Sequence, residues 1–244
     1  MLVKISIPSI YKNRSGEQVS LPERMAQCTP DMAKAIKVLS AEITKAGGSL
    51  ILSDLFRSWD MQQQAYLDCQ TGKKTAYSPP PGGSMHEAGR AMDIDLSKIK
   101  IHLLDFWKIA KPLGFMPIIA EPNPRTSEAW HFDFRGSHQL VYDYYLRMPR
   151  EKRNMKPYEA MAMSAITDNT DLPYTRQIGN LGVLRCQCML VRLGKDIGLL
   201  DGFAGNKTNT ALQGLVGENY KNIPYTTNLL KAKIKLTFPN EYTT

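Results

Sequence analysis

Apolar positions along the first part of the chain follow two rhythms, one helical and one alternating. In TPDMAKAIKVLSAEITKAGG, Met32, Ile36, Leu39 and Ile43 recur at steps of three and four. That spacing predicts an amphipathic helix with Thr29 as its cap, Pro30 in its first turn and Gly47-Gly48 as its stop. SLILSDLFRS reads as a strand. DMQQQAYLDCQTGK reads as a second helix ending near Gly72, with Gln62, Gln63 and Gln64 on a solvated face from which one could reach a substrate. After the loop AYSPPPGGS, the stretch GRAMDIDL alternates as a strand does. Met92 and Ile94 point to the core, and Ala91, Asp93 and Asp95 share the other face. IHLLDFWKIAKPLG is helical. EAWHFDFRG alternates again, with Trp130, Phe132 and Phe134 on one face and His131 and Asp133 on the other. Mixed helices and short strands predict an α+β domain over residues 1–150, a small antiparallel sheet flanked by helices.

The pattern then changes. PREKRNMKPYEAMAMSAITDNTDLP predicts a connecting helix and a turn-rich linker over residues 151–174. Residues 175–244 read as a small helical domain. There, QIGNLGVLRCQCMLVRLG puts Leu181, Leu184, Cys188 and Val191 on one face. After a DG turn, a second helix carries Ala211, Leu212 and Leu215.

Composition narrows the class. Hydrophobic residues make up 43% of the 244 and charged residues 22%, enough apolar material for a packed core. No apolar run is long enough to span a membrane. The start, MLVKISIPSIYKNRSGEQ, lacks the features of a secretory signal. The formal net charge of +8 suits an anionic envelope. The basic residues are scattered, so nucleic acid is not expected as a partner. Cys28, Cys69, Cys186 and Cys188 form no CxxC pair and read as free thiols.

Chemistry concentrates in GGSMHEAGRAMDIDL and EAWH. His86, Asp93 and His131 offer nitrogen, oxygen and nitrogen donors, the kind of three-ligand set that a catalytic zinc takes. Gly89 lets the backbone turn between the first two, and Ala91 leaves room beside the metal. Spacing alone does not choose Asp93 over Asp95. Glu128, three residues before His131, stands where a base could move a proton from an attacking water to a leaving amine. His102 and His138 lie outside this constellation and read as structural or exposed.

The stretch Ser84-x-His86-x-x-Gly89-x-Ala91-x-Asp93, followed by Glu128-x-Trp130-His131, resembles the two signatures of the zinc D-Ala-D-Ala carboxypeptidase and L-alanyl-D-glutamate endolysin family, peptidase family M15. SDLFRSWDMQQQAYLDC resembles the family's upstream strand and Gln-bearing helix, and the similarity runs over roughly residues 28–140. The resemblance implies Zn2+ held by His86, Asp93 and His131, and Glu128 as general base. It further implies Arg57 as a catalytic and substrate anchor, Ser84 as a substrate contact and Asp95 as a candidate support behind the ligands. Trp130 reads as packing.

The C-terminal segment resembles the small helical peptidoglycan-binding module, whose pattern is LQxxLxxLG, DGxFG, TxxAVxxFQ. Gln187, Leu190, Leu193, Gly194, Asp201, Gly202, Gly205, Thr208 and Ala211 match it. Cys186, Phe203, Ala204 and Leu215 depart from it. Together the resemblances imply a monomeric hydrolase of the peptide stem of peptidoglycan or muropeptides. It would be made in the cytoplasm and reach the wall through a separate pore or a phage particle. The expected bond is L-Ala-D-Glu. A D-Ala-D-Ala carboxypeptidase and a non-catalytic zinc-bearing wall-binding protein are the alternatives, and Glu128 argues against the second because a pure binder has no use for a base.

Overall fold

The computed structural model describes residues 2–170, 179–217 and 221–242. The chain opens with β1 (Val3–Lys4), the hairpin β2 (Pro8–Lys12) and β3 (Gln18–Ser20), and β4 (Gln27–Cys28), which pairs back on β1. Next come α1 (Pro30–Lys45), β5 (Leu52–Asp54), α2 (Trp59–Gln70), β6 (Ala91–Ile94), α3 (Leu103–Ala110), β7 (Phe115–Pro117) and β8 (His131–Phe134). Five helices complete the chain: α4 (Gln139–Arg147), α5 (Pro157–Asn169), α6 (Leu181–Arg192), α7 (Asn206–Val216) and α8 (Ile223–Thr237). The fold is α+β. Its main sheet has the order β3-β2-β5-β6-β8-β7 and is antiparallel except where β2 runs parallel to β5.

Alternation decides what each face of the sheet meets. Met92, Ile94 and Phe132 join Met32, Ile36, Leu39 and Ile43 of α1 and Phe106 and Trp107 of α3 in one buried cluster. The opposite residues of the central strands, Ala91, Asp93, His131 and Asp133, are buried as well. A strand covered on both faces cannot discard its polar side chains into water, so each needs a partner inside the protein. The register pairs Asp93 with His131 and Ala91 with Asp133, which makes two of the three candidate ligands direct cross-strand neighbours.

Three expectations change on contact with the fold. Thr29 does precede α1, but its side chain makes no cap bond there. Its hydroxyl instead accepts from Arg90 Nη1 at 3.2 Å. Gln62 is fully buried, because it turns inward to hold Arg57, Ser78 and the carbonyl of Pro79. The segment expected as a connecting helix, α5, is packed: residues 160–167 are all buried. Met161, Ala162, Ala165 and Ile166 meet Met85, Ala88 and Ala91 on one side. Ala160 and Met163 meet α4 and α6 residues on the other. Small residues let two neighbours approach the helix at once, which explains its run of Ala and Met. The expected linker from residue 171 onward lies outside the described residues.

In the C-terminal helices the motif residue Gln187 builds structure. Gln187 Nε2 donates to Asp201 Oδ1 (2.9 Å), the carbonyl of Phe203 (3.0 Å) and Thr208 Oγ1 (3.2 Å). Its Oε1 accepts from the backbone N–H groups of Asp201 and Gly202. One buried amide thus pins the loop between α6 and α7. Leu181 is 40% exposed, whereas Leu184, Cys188 and Val191 are buried as expected. Cys28, Cys186 and Cys188 are buried free thiols, and Cys69 is a half-buried one. Among the described residues, no helix is long and apolar enough to cross a membrane.

Candidate metal centre and active site

His86 rides on a short 3₁₀ turn, Met85–Ala88, that begins with a capping box. Ser84 Oγ accepts from the His86 backbone N–H, and Glu87 reaches back to accept from the backbone N–H groups of Gly82 and Ser84. Gly89 ends the turn at φ +63°, and a Cβ there would meet Leu2 Cδ2 at 2.7 Å and Cys28 Cα at 3.1 Å. The residue must therefore be small and left-handed, and only glycine is both without strain. The turn delivers the chain into β6, where Asp93 faces the same way as His86.

Three ligand-type atoms converge. His86 Nδ1 lies 2.7 Å from the carbonyl of Leu55, which can only accept, so Nδ1 carries the proton and Nε2 presents a lone pair. That Nε2 is 3.3 Å from both Asp93 Oδ1 and His131 Nδ1, and His131 Nδ1 is 2.8 Å from Asp93 Oδ1. Among the described residues these three side chains form a group able to hold a metal ion. Their separations are near the ~3.3 Å that separates ligands bound tetrahedrally at about 2.0–2.1 Å. His86 Nε2 offers a lone pair and Asp93 a carboxylate oxygen, and His131 Nδ1 completes the set when it loses its proton, so the donor set fits a cation.

The surrounding charges agree. Burial opposes ionisation of Asp93, but His86 and His131 outweigh it and hold the carboxyl well below the usual range. Burial likewise disfavours a charged His131, yet Asp133 and Asp93 push it up to about 10. The two acids thus draw positive charge to this point. Arg57 sits beside them, with Nε on Asp54 Oδ2 (2.7 Å), Nη1 on Gln62 Oε1 (3.2 Å) and Nη2 on Asp93 Oδ2 (3.4 Å).

Glu128 adopts φ +68°, one of two non-glycine residues with positive φ among those described. For such a residue this costs roughly 1–2 kcal/mol, and strain of this kind clusters at functional sites. Its Oε1 is buried with no hydrogen-bond partner among the described residues. Burial raises its pKa above the ordinary glutamate value. A carboxylate held strained, unpaired and basic has the properties required of a proton acceptor.

These groups open onto one cavity of about 530 Å³, walled by Arg57, Ser84, His86, Asp93, Glu128 and His131 among others. All six candidate site residues from the sequence meet there. Trp130 also lines it and is only half-buried, so it belongs to the cavity wall and not to the packing formed by Phe132 and Phe134. Asp95 does not belong to the site. Past the end of β6, its Oδ1 accepts from the backbone and hydroxyl of Ser97. The carboxylate behind the ligands is Asp133, which is completely buried and 3.0 Å from His131 Nε2. The alternation of EAWHFDFRG had put it on the right face, but nothing in the spacing distinguished it from an ordinary polar position. Asp54, Gln62 and the Leu55 carbonyl gave no sequence signal either. His138 is buried, with Nδ1 3.0 Å from Ser164 Oγ, and His102 is exposed at the start of α3.

Residues 25–160 match the VanY family, described as D-alanyl-D-alanine carboxypeptidase. No curated protein matches the chain. Among solved structures, the chain is similar to one reported as the structure of the LdcB LD-carboxypeptidase, which reveals the molecular basis of peptidoglycan recognition. The identity is 16%, over 70% of this chain and 79% of that one, with a TM-score of 0.43. The family match takes in more than half of the sequence, both signatures and every residue of the converging cluster. The chain therefore belongs to the VanY family of D-alanyl-D-alanine carboxypeptidases and is a peptidase.

Proposed function

We propose that this protein is a zinc-dependent peptidase of the peptidoglycan stem that cuts the L-Ala-D-Glu bond in the manner of a phage endolysin. The observation that carries the metallopeptidase reading is the convergence of three buried ligand-type atoms, on His86, Asp93 and His131, beside Glu128, whose Oε1 is buried without a hydrogen-bond partner among the described residues. Two imidazoles and a carboxylate are a donor set suited to zinc. When bound, the ion supplies Lewis-acid polarisation of a carbonyl and of water. The chain's own groups do the rest. Glu128 takes the proton of the attacking water on its carboxylate and returns it to the nitrogen of the leaving amine. Arg57, pinned by Asp54 and Gln62, keeps a fixed positive charge in the wall, where the carbonyl oxygen gains negative charge and the substrate's free carboxylate docks. Ser84 stands in the same wall as a substrate contact.

The internal bond is supported by the resemblance of the two signatures to the endolysin members of the family. Removal of a terminal D-Ala is the second reading, favoured by the description of the matched family. A defined muropeptide with a pentapeptide stem separates them by mass spectrometry. Cleavage at L-Ala-D-Glu frees a tetrapeptide, and carboxypeptidase action frees a single D-Ala. Glu128→Gln is expected to release neither. Equal release by wild type and Glu128→Gln, or none by either, overturns the enzyme reading.

The two-part division, with a catalytic part over 1–150 and a wall-binding part over 175–244, is also proposed. Its support is the motif match and Phe203, an aromatic side chain 64% exposed on the pinned loop. Binding of full-length Glu128→Gln to purified sacculi, weakened by adding Phe203→Ala, tests it.

A further inference from the structure

We infer that Asp133 and Tyr158 are positioning residues, Asp133 orienting the His131 ring through Nε2 and Tyr158 holding Asp133. The inference rests on the metallopeptidase reading above and names two residues that neither signature contains.

The argument runs through donors and acceptors. Asp133 Oδ1 lies 3.0 Å from His131 Nε2 and also accepts from Tyr158 Oη at 3.0 Å, while Oδ2 accepts from Arg135 Nε at 3.3 Å. With a cation held at Nδ1, the ring keeps its one proton on Nε2, where Asp133 accepts it, and Nδ1 faces Asp93 Oδ1 and His86 Nε2. His86 obeys the same logic with the nitrogens exchanged, since the Leu55 carbonyl holds Nδ1–H and frees Nε2. The two histidines thus present different nitrogens to one point, each chosen by what its other nitrogen touches. Such support behind a ligand fixes its orientation and basicity.

Tyr158 supplies what β8 cannot. Arg135, just past β8, holds Asp133 Oδ2, and Tyr158 holds Oδ1, the oxygen that meets His131. The Tyr158 hydroxyl comes from the first turn of α5, whose later residues Met161, Ala162 and Ala165 pack on the turn that carries His86. One helix therefore braces both histidines.

The test is zinc affinity, read by competition with a chromophoric chelator, on folded protein checked by circular dichroism. Asp133→Asn is expected to weaken zinc binding about 10–100-fold. Tyr158→Phe should weaken it several-fold, and the double variant should match Asp133→Asn alone, because Tyr158 acts through Asp133. Ring-nitrogen NMR of the zinc-loaded wild type should show the proton of His131 on Nε2. Activity of Tyr158→Phe should recover with excess zinc. Zinc binding by Tyr158→Phe within twofold of wild type overturns the role of Tyr158. Wild-type affinity in folded Asp133→Asn, or a His131 proton on Nδ1, overturns the whole inference. If Asp133→Asn fails to fold, the NMR measurement on wild type and the affinity of Tyr158→Phe decide. A wild type that takes up no zinc overturns the function reading itself and this inference with it.

Discussion

His86, Asp93 and His131 in the sheet region and Arg192, Asp168 and Glu241 among the C-terminal helices are both buried clusters of ionisable side chains, yet they are built in opposite senses. Around Arg192 the side-chain contacts join donors to acceptors, although Asp168 Oδ1 is buried without a hydrogen-bond partner among the described residues. Its guanidinium donates to Ser137 Oγ (2.8 Å), Asp168 Oδ2, Glu241 Oε2 (2.8 Å) and Tyr242 Oη (3.0 Å). Burial opposes the charge on Asp168, and Arg192 and Tyr242 more than offset it, lowering the carboxyl's pKa. At the candidate metal centre, His86 Nε2, Asp93 Oδ1 and His131 Nδ1 crowd one point, and Glu128 Oε1 is buried without a hydrogen-bond partner among the described residues. Arg192 is buried and surrounded by acceptors, whereas three ligand-type atoms crowd one point beside an open cavity at His86, Asp93 and His131. The contrast teaches that burial of charge alone does not mark a functional site.

The sharpest way to break this contrast is to remove the ion and the base. A chelator is expected to take stem-peptide hydrolysis to background, with zinc restoring it, and Glu128→Gln to lower kcat by about 10²–10⁴-fold. Because Glu128 is strained and unpaired, the same variant should lose no thermal stability, as calorimetry will show. As the proposed base, Glu128 works only when ionised, and burial raises its pKa. The acidic limb of kcat/KM in wild type should therefore lie above the ordinary glutamate value, activity falling as pH drops through it.

At the other cluster the outcome should invert. Arg192→Met leaves Asp168 and Glu241 buried without their cation, a change that costs about 3–5 kcal/mol. Chemical denaturation should show the loss, while activity per folded molecule stays near wild type. Large loss of turnover with unchanged stability would make Arg192 part of the catalytic machinery and erase the distinction.

Glu87 probes the middle ground, a buried carboxylate held by backbone N–H groups alone. Burial pushes it up to about 7, with the hydrogen bonds from Gly82 and Ser84 opposing. Its pKa in the folded state exceeds the unfolded value, so its contribution is fully present below about 4.5 and is lost as pH rises through about 7. At about 1.4 kcal/mol per pKa unit, the loss is on the order of 3 kcal/mol at most. Denaturation at pH 5 and pH 8 should show a decline in wild type that Glu87→Gln lacks.

The smallest effect is expected at Asp95. Asp95→Asn keeps an oxygen for Ser97 and should change stability by less than about 1 kcal/mol, with zinc affinity untouched. Asp93→Asn should abolish tight zinc binding. Equal losses from both would return the ambiguity that spacing left open.

Much of this molecule was readable before folding was considered. The 3.6-residue and two-residue rhythms predicted α1, β6 and β8 because burial on one face writes itself into sequence at the period of the element. The two signatures located His86, Asp93, Glu128 and His131 because a turn that must carry both a ligand and a left-handed glycine tolerates few alternatives. The N-terminal strands β1–β3 and helix α8 were not legible, since short edge strands and a helix of mixed polarity leave weak periodicity.

What the sequence by itself determined is the local chemistry: which residues offer nitrogen and oxygen donors, where the backbone turns, and which strand faces are apolar. What only the tertiary structure decided is which groups stand behind them. Leu55 lies 31 residues before His86, Tyr158 comes from a helix that read as a connector, and Gln62 turned from a solvated face to an interior clamp. The physical reason is that a ligand's identity follows from its own side chain and close neighbours, whereas its proton and its orientation follow from whatever packing brings to its far side.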